Sequence, residues 1–541
     1  MKNDLDFNAT QASILKKFVT NTSSNVFVLR NLPEVIKGAL FSRYSRSSLG
    51  LRALLLKEFI QGEETAFDSI VGEGKGRDFE NHEDQTIAIQ RAQNFYDRIL
   101  DGYGDDSIGE LGGAHVGIEN ISMLAAKIIE DKRIGGSPLE KSTRYIYFDQ
   151  KVDDQYLYYR EPILMASAYR EPFLKTCDHL FETYSRLISQ LTPLIEQKIP
   201  KESGQSKTAY LAALRAKVLD CLRGLLPAGT LTNMGLYGNG RFWEGLIHKL
   251  QCQMLAELQD IGKKSYQELS KVIPSFVRRA ESHHYYHEAF SQCFESMQEQ
   301  LKNVASRQFV TNNDYKIGPR LIDYDIKGPY KVASALLFNQ GNSSLEDLQT
   351  HCSHLSSEEI AEIFEAASSM RESRRQKSPR ALEQAQFTFE IIGDFGIYRD
   401  LHRHRMLSQE RQLLTTNYGY FIPNEILGTP MEKDYREAMD MAKDVFDLIA
   451  KELPEEAQYV VPMAYHVRWY FHVNLRALQW ICELRSQPSG HPNYRYVAQE
   501  MARQVIEVCP NFEIFFKFVD YEGYDLGRLT QEQSKQDKKV N

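Results

Sequence analysis

Hydrophobic and polar positions alternate along the chain in patterns that predict helices over most of its length. Ser356 and Glu359 have the spacing of a capping box, and Ile360 begins an apolar face with the three- and four-residue intervals of a helix. A second helix is predicted over Tyr435–Leu453, where Pro454 would end it. Both segments are typical of surface helices that pack one face against a core.

Residues 387–392 leave the choice between strand and helix open. They are rich in β-forming side chains, Phe387, Thr388, Phe389, Ile391 and Ile392, but they alternate only weakly and run on toward Arg399 with mixed periodicity. Taken over the whole chain, the patterns predict a helix-rich α+β fold.

The sequence also repeats itself in order, which indicates two copies of one unit. A duplication keeps spacings constant within blocks while the loops between blocks change in length. The matching positions are Ala39-Leu40-Phe41 through Ser47-Ser48-Leu49 with Ala335-Leu336-Leu337 through Ser343-Ser344-Leu345 (343 − 47 = 296), Glu110 with Glu383 (383 − 110 = 273), Arg133 with Arg405 (405 − 133 = 272), and Pro227, Asn239 and Arg241 with Pro462, Asn474 and Arg476 (462 − 227 = 235). Four blocks in the same order favour a tandem duplication over chance.

These offsets predict the domain organisation. Residues 1–310 would form the first repeat and residues 331–530 the second. The turn-rich segment 311–330 between them lacks sustained periodicity and is predicted to connect the repeats. Residues 531–541 are polar and are predicted to form a solvated tail. A length of 541 residues fits this division, since domains average roughly 150 residues.

Composition narrows the classes of function. The net charge of −8 provides no basic field, so we expect no nucleic-acid partner. No apolar stretch approaches a membrane span and the first residues carry no apolar leader, so we expect a cytoplasmic protein without a membrane partner. The seven cysteines are scattered and never spaced as CxxC, which favours free thiols over a disulfide framework or a zinc site.

One histidine pair has the spacing of metal ligands. His283 and His287 would share a helical face, but no carboxylate motif of the HExxH type accompanies them. The favoured interpretation is that the protein holds no metal.

Two segments of the chain each keep what the other lacks. The segment 403–415 has Arg403-His404-Arg405 at its start, and the segment 131–145 has Glu140, Ser142 and Arg144 near its end, with one extra residue in the spacing. Together they resemble the sequence signature of the flavin-dependent thymidylate synthases, Arg-His-Arg followed by Ser-x-Arg with a Glu two residues before that Ser. The resemblance implies a tandem duplication of that family's fold.

A second block strengthens the resemblance. The family has Asn-x-Arg followed nine residues later by a further Arg, which here are Asn474, Arg476 and Arg485. By resemblance, Arg403, His404, Arg405, Asn474 and Arg476 bind FAD, Arg403 also lies at the substrate, and Arg485 polarises its uracil ring. The first half has Leu250 where the second has Arg485. The family's phosphate-binding Arg, four residues before the Pro, is Arg223 in the first half, whereas the second half has Gln458.

The resemblance therefore implies one composite site. Glu140, Ser142, Arg144 and Arg223 would bind the substrate from the first half, and the second half would supply the FAD ligands and the catalytic Arg485. The reciprocal site is expected to be dismantled; its positions are Asp131, Lys132, Arg133 and Leu250 facing Arg411, Leu413, Thr415 and Gln458. The implied reaction methylates dUMP to dTMP with methylenetetrahydrofolate and NADPH. A homodimer of such two-repeat chains would form a pseudo-tetramer.

Departures from the signature leave other interpretations open. Asp400 stands where the family usually has Gln, which places a carboxylate near an anionic substrate. A flavin-binding homologue that acts on another pyrimidine nucleotide, or that is inactive, is one alternative. A non-enzymatic helical interaction scaffold is another, in which the arginine clusters would be solvated faces.

Overall fold

A computed structural model of the chain describes residues 7–44, 47–60, 109–308 and 315–540. Its strands are β1 (Gly113–Ser122), β2 (Gly136–Glu140), β3 (Lys151–Val152), β4 (Gln155–Tyr156), β5 (Leu231–Asn239), β6 (Gly318–Tyr324), β7 (Gln386–Asp394), β8 (Ser408–Arg411) and β9 (His466–Asn474). Its α-helices are α1 (Ala9–Phe18), α2 (Glu34–Tyr44), α3 (Leu51–Leu54), α4 (Met123–Glu130), α5 (Pro162–Ala166), α6 (Arg170–Lys198), α7 (Lys207–Leu222), α8 (Gly240–Gln251), α9 (Ala256–Leu269), α10 (Pro274–Val277), α11 (Tyr285–Gln308), α12 (Gly328–Leu337), α13 (Leu345–Cys352), α14 (Ser357–Ser368), α15 (Phe395–Leu401), α16 (Pro430–Ile449), α17 (Leu475–Arg485), α18 (Pro492–Val508) and α19 (Leu529–Val540). A π-helical turn covers Leu55–Ile60, and 3₁₀ turns cover Arg223–Leu225, Arg278–Ala280, Phe338–Gln340, Arg380–Gln384, Glu456–Val460 and Pro510–Phe516. The fold is therefore helix-rich α+β.

The chain divides into two compact units that do not follow its linear order. The first unit comprises Met1–Glu119, Ile128–Glu140 and Asn233–Val310. Its three-stranded sheet has the order β1-β5-β2, with β2 antiparallel to β5. The helix α8 packs on α9 and buries Trp243 and Ile247 on one face, as the spacing of apolar residues along an amphipathic helix requires.

The second unit comprises Asn120–Lys127, Lys141–Thr232 and Thr311–Asn541. Its antiparallel sheet has the order β6-β7-β9-β8. Phe387, Phe389 and Ile391 are buried at alternate positions of β7, so one face of this strand carries large apolar side chains into the core. The long helix α6 packs against α7 and α16 on the helical side of this unit.

Strands β5 and β9 resemble each other closely. Both have nine residues, the same order of buried and exposed positions, and a helix directly after them. The Asn239 side chain caps α8 by accepting from the Phe242 N–H, and Asn474 caps α17 by accepting from the Ala477 N–H. The ion pair Glu110–Arg241, at 2.8 Å, likewise has a counterpart in Glu383–Arg476, at 3.0 Å.

The strand register locates the extra residue of the segment 131–145. Leu139 pairs with Gly235, and Glu410 pairs with Tyr470. The shift between β5 and β9 is 470 − 235 = 235, and that between β2 and β8 is therefore 410 − 139 = 271, one less than the shift at Arg133. The extra residue thus lies before β2, where Gly135 forms a turn with φ +85°.

Reciprocal backbone hydrogen bonds lie around an antiparallel bridge between Pro227 and Pro462, inside the second unit. The paired bonds are Ala228 N–H to Val461 O (2.8 Å) with Met463 N–H to Leu226 O (2.9 Å), and Gly229 N–H to Tyr459 O (2.9 Å) with Ala464 N–H to Gly224 O (2.9 Å). Within each pair, the donor of the second bond is the donor of the first shifted by +235 positions, and the acceptor of the second is the acceptor of the first shifted by −235 positions. Such exchange is the property of a local two-fold contact.

The predicted elements can be compared with those observed. The capping box of Ser356 and Glu359 is confirmed at the start of α14. Helix α16 begins at Pro430 and ends at Ile449, so it begins before the predicted Tyr435 and ends before the predicted Leu453. Residues 386–394, which include the segment left undecided between strand and helix, form strand β7.

Regular structure is present in the segment predicted as a connection and in the segment predicted as a solvated tail. In the segment predicted as a connection, 311–314 lie outside the described residues, but 318–324 form strand β6, paired with β7. In the predicted tail, residues 529–540 form α19, and the Gln533 side chain accepts a hydrogen bond from the Ser206 N–H at 2.9 Å.

Candidate functional site

A buried ion pair joins Arg144 to Asp220 in the second unit. The Asp220 carboxylate, near the end of α7, accepts from Nε and Nη2 of Arg144 at 2.6 Å each. Burial alone would raise the pKa of Asp220, but Arg144 outweighs it and holds this pKa below its usual range. Nη2 of Arg144 also donates to the Ser489 carbonyl at 3.3 Å, so few of its donors remain available.

Tyr494, in the first turn of α18, lies between two of the predicted site arginines. Its hydroxyl accepts from Nη1 of Arg144 at 2.9 Å. The centroid of its ring is 5.5 Å from Cζ of Arg144 and 5.5 Å from Cζ of Arg485. One tyrosine thus joins an arginine of the segment 141–232 to an arginine of the segment 311–541.

Arg485, the last residue of α17, is held by His404. Its Nε donates to Nε2 of His404 at 2.8 Å. Burial, and after it the charge of Arg485, lowers the pKa of His404 well below its ordinary value. A neutral imidazole that accepts at Nε2 carries its proton on Nδ1. His404 therefore orients the guanidinium without adding a second positive charge.

A second carboxylate, Asp400 of α15, pairs with Arg223. Both Nη1 and Nη2 of Arg223 lie 3.2 Å from Oδ2 of Asp400. Burial would raise the pKa of Asp400, but Arg223 first, and then Arg144, Arg485 and Arg403, lower it below its usual range. The carboxylate that departs from the family pattern is thus surrounded by the arginines predicted to bind substrate.

The residues predicted to bind FAD fall into two groups. Arg403 and Arg405 are exposed beside His404. Asn474 caps α17, and Arg476 donates to the Ser378 carbonyl at 2.9 Å in addition to its pair with Glu383. These contacts join the second group to the 378–383 segment.

Glu140 and Ser142 complete the predicted substrate ligands. The Ser142 hydroxyl accepts from the Arg144 N–H at 3.3 Å and so shapes the turn that carries Arg144. Glu140 is buried on β2 of the first unit, opposite Met234. It is the one predicted ligand assigned to that unit.

The positions of the predicted dismantled site serve local structure. In the first unit Leu250 is fully buried, and Lys249 lies 3.6 Å from Asp131. In the second unit Gln458 accepts from the Leu414 N–H at 3.1 Å. The Leu413 side chain is 42% exposed, and Thr415 accepts from the Asn417 N–H at 3.3 Å. Each unit thus uses these residues for turns or for its core.

The histidine pair proposed from sequence does not form. His283 precedes helix α11, which begins at Tyr285, whereas Nδ1 of His287 lies 2.8 Å from Nδ1 of His248. Among the described residues, no three His, Cys, Asp or Glu side chains are grouped as metal ligands would be.

Sequence reasoning missed Asp220, Tyr494, His491 and Arg528. Nε2 of His491 lies 3.1 Å from the Asp220 carbonyl oxygen, and Arg528 lies close enough to Arg144 for the charge of Arg144 to lower the pKa of Arg528. None belongs to the quoted motifs. A signal was available for His491 and Tyr494, which lie in the polar run 485–495 just after the Asn-x-Arg block.

The family now follows from comparison with known sequences. The model of the thymidylate synthase complementing protein family matches residues 65–275 and again residues 320–511, most of the chain. The chain belongs to this family.

The curated relatives extend over nearly the whole length. A UPF0159 protein of Chlamydia pneumoniae is 57% identical over 533 residues, 98% of each chain. One of Chlamydia muridarum is 55% identical, over 97% of this chain and 98% of the relative, and one of Thermoplasma acidophilum is 33% identical over 92% and 97%. Within the described ranges, every helix is too short or too polar to span a bilayer.

Proposed function

We propose that the protein is a flavin-dependent thymidylate synthase with one composite site, built by tandem duplication of the family fold. The contact that carries the proposal is the one around Tyr494, where Arg144 and Arg485 lie at equal distance from one ring. Arg144 belongs to the segment 131–145, and Arg485 is joined to the segment 403–415 by its hydrogen bond to His404. The matched strands β5 and β9 and the reciprocal bonds around Pro227 and Pro462 support the duplication.

The arrangement of Arg485 fits the role of a charge-stabilising group. Attack by uracil C5 on a one-carbon donor develops negative charge on the ring, and a fixed guanidinium lowers the energy of that state. His404 fixes Nε of Arg485 and so orients the guanidinium that would act on the substrate. No cysteine nucleophile is required, and six of the seven cysteines are buried.

The cationic side chains near Arg476, one of the predicted FAD ligands, suit an anionic cofactor. Lys377 Nζ lies 3.4 Å and Arg374 Cζ 5.5 Å from the Trp480 ring centroid. Burial first, and then the charges of Arg476 and its neighbours, lower the pKa of Lys377. Clustered cations around an aromatic face are a suitable surface for a dinucleotide that carries a pyrophosphate.

The proposed division of labour follows from these placements. Arg403, His404, Arg405, Asn474 and Arg476 would hold FAD, which, reduced by NADPH, would supply the hydride that completes the methyl group. Methylenetetrahydrofolate would provide the carbon transferred to C5 of dUMP. The chain's own residues orient the reactants, stabilise charge and exclude water. Glu140, Ser142, Arg144 and Arg223 would bind the nucleotide.

In a second candidate function, the protein binds flavin but acts on a pyrimidine nucleotide other than dUMP. Arg144 is bound by Asp220 and Arg223 by Asp400, so the two arginines expected to hold the phosphate of dUMP already have carboxylate partners. A pyrimidine nucleotide with a different arrangement of charge would suit this pattern. Comparing dUMP with dCMP and UMP in a binding titration distinguishes the two candidates.

The reaction is tested in a cell that needs it. Expression of the protein in a bacterium that requires thymidine should restore growth without thymidine, and the Arg485→Ala variant should not. Purified protein should be yellow, with flavin released on denaturation. A colourless protein that retains no FAD after the cofactor is added and the unbound excess is removed would instead favour the interaction scaffold.

A further inference from the structure

Arg528 is a buried arginine outside every motif considered above. It lies directly before α19 and only 6% of it is exposed. Its Nε donates to the Ser489 carbonyl at 3.3 Å, the same oxygen that receives Nη2 of Arg144. Both stretches matched by the family model, 65–275 and 320–511, end before it.

The guanidinium of Arg528 forms no ion pair within the described residues. Its Nη1 is fully buried and has no hydrogen-bond partner among the described residues. None of the carboxylates in the described part of the chain forms an ion pair with it. Both oxygens of the nearby Asp220 are bound by Arg144. Burial and the charge of Arg144 lower the pKa of Arg528 from its ordinary value.

A buried cation that forms no ion pair destabilises the folded protein, so its presence needs a physical reason. A buried donor without an acceptor loses its interaction with water and gains nothing in return. The cluster also carries an excess of positive charge, since Arg144, Arg223, Arg485 and Arg528 share the carboxylates Asp220 and Asp400. A ligand that brings negative charge would correct both deficits.

A path to Arg528 is provided by Tyr145. The Tyr145 ring lies over the guanidinium, with its centroid 4.3 Å from Cζ, and this side chain is 48% exposed. Rotation of this exposed side chain would uncover the face of the guanidinium on which it lies. Tyr145 directly follows Arg144, so the cover belongs to the predicted substrate segment.

We propose that Arg528 is a further substrate-binding residue, whose Nη1 donates to the phosphate of the nucleoside monophosphate. The inference rests on the proposed function of this site and adds a ligand from the C-terminal segment. It also explains how the site binds a phosphate although Asp220 and Asp400 engage Arg144 and Arg223.

The test compares a ligand with and without phosphate. Wild-type protein and Arg528→Gln are titrated calorimetrically with dUMP and with deoxyuridine. Loss of one charge-assisted hydrogen bond should weaken dUMP binding about 10- to 100-fold and leave deoxyuridine binding unchanged. Arg503→Gln is the matched control, because Arg503 also stacks on a tyrosine, at 4.6 Å from the Tyr521 centroid, but is exposed and paired with Glu500. It should bind dUMP as the wild type does.

The outcomes separate this inference from the proposed function. Wild-type protein that binds no dUMP would refute the proposed function. Wild-type and Arg528→Gln proteins with equal affinity for dUMP would refute only the role of Arg528. Equal weakening of dUMP and deoxyuridine would assign Arg528 a structural role. Should Arg528→Gln not fold, Arg528→Lys keeps the charge but not the planar fork and should still weaken dUMP selectively; unchanged dUMP affinity in it would count against the inference.

Discussion

The ion pair between Arg144 and Asp220 makes the stability of the protein depend on the site. Both side chains are nearly buried, at 8% and 10% exposure, and two bonds of 2.6 Å join them. Replacing either partner leaves a buried charge without its counterion, which costs ~3–5 kcal/mol. Arg144→Met and Asp220→Asn should each lower the free energy of unfolding by about this amount. The double variant should lose less than the sum of the two.

The measurement is urea unfolding followed by circular dichroism, at pH 7 and constant salt. Glu437→Gln serves as the control, because its pair with Lys433 spans 3.7 Å and is 61–79% exposed, so it should change stability by under ~1 kcal/mol. Single variants as mild as this control, or effects that simply add in the double variant, would show that the pair is not the buried, coupled unit described here.

Three further predictions follow from the geometry. Arg485→Ala should keep FAD bound and reduce kcat for dTMP formation by ~10²–10³, with little rescue by Arg485→Lys; unchanged kcat would refute its role. Burial and Arg223 lower the pKa of His491 to about 4, so stability should be full above the ordinary histidine pKa of 6.5 and fall as pH drops from there toward 4; His491→Gln should flatten this part of a stability-against-pH curve. Light scattering should find two chains per particle, since each chain already pairs Pro227 with Pro462, and a four-chain particle would contradict the pseudo-tetramer.

Local patterns predicted those features that depend on neighbouring residues alone. The capping box at Ser356 consists of hydrogen bonds between two residues three positions apart, so the sequence spacing alone predicts it. The undecided segment became strand β7 because its neighbours β6 and β9, far away in sequence, complete its hydrogen bonds. Strand formation depends on such partners, and no local propensity reveals them.

The candidate site was predictable only as far as its motifs extended. The motif residues Arg144, Arg223, His404 and Arg485 are found around Asp400 and Tyr494. Tyr494 is 350 positions from its partner Arg144, and Asp220 is 76 positions away, so no spacing rule pointed to them. The role of His404 as an acceptor likewise depends on which nitrogen faces Arg485, which sequence alone does not determine.

The most direct test is formation of dTMP by the purified protein. Wild-type protein is incubated without oxygen with dUMP, methylenetetrahydrofolate, FAD and NADPH, and the nucleotides are separated by chromatography. We expect dTMP to form only when dUMP, methylenetetrahydrofolate and NADPH are all present, and to form equally well with the Thr415→Ala variant of the predicted dismantled site. A folded, flavin-loaded protein that yields no dTMP, or a Thr415→Ala variant as inactive as Arg485→Ala, would contradict a single composite thymidylate synthase site.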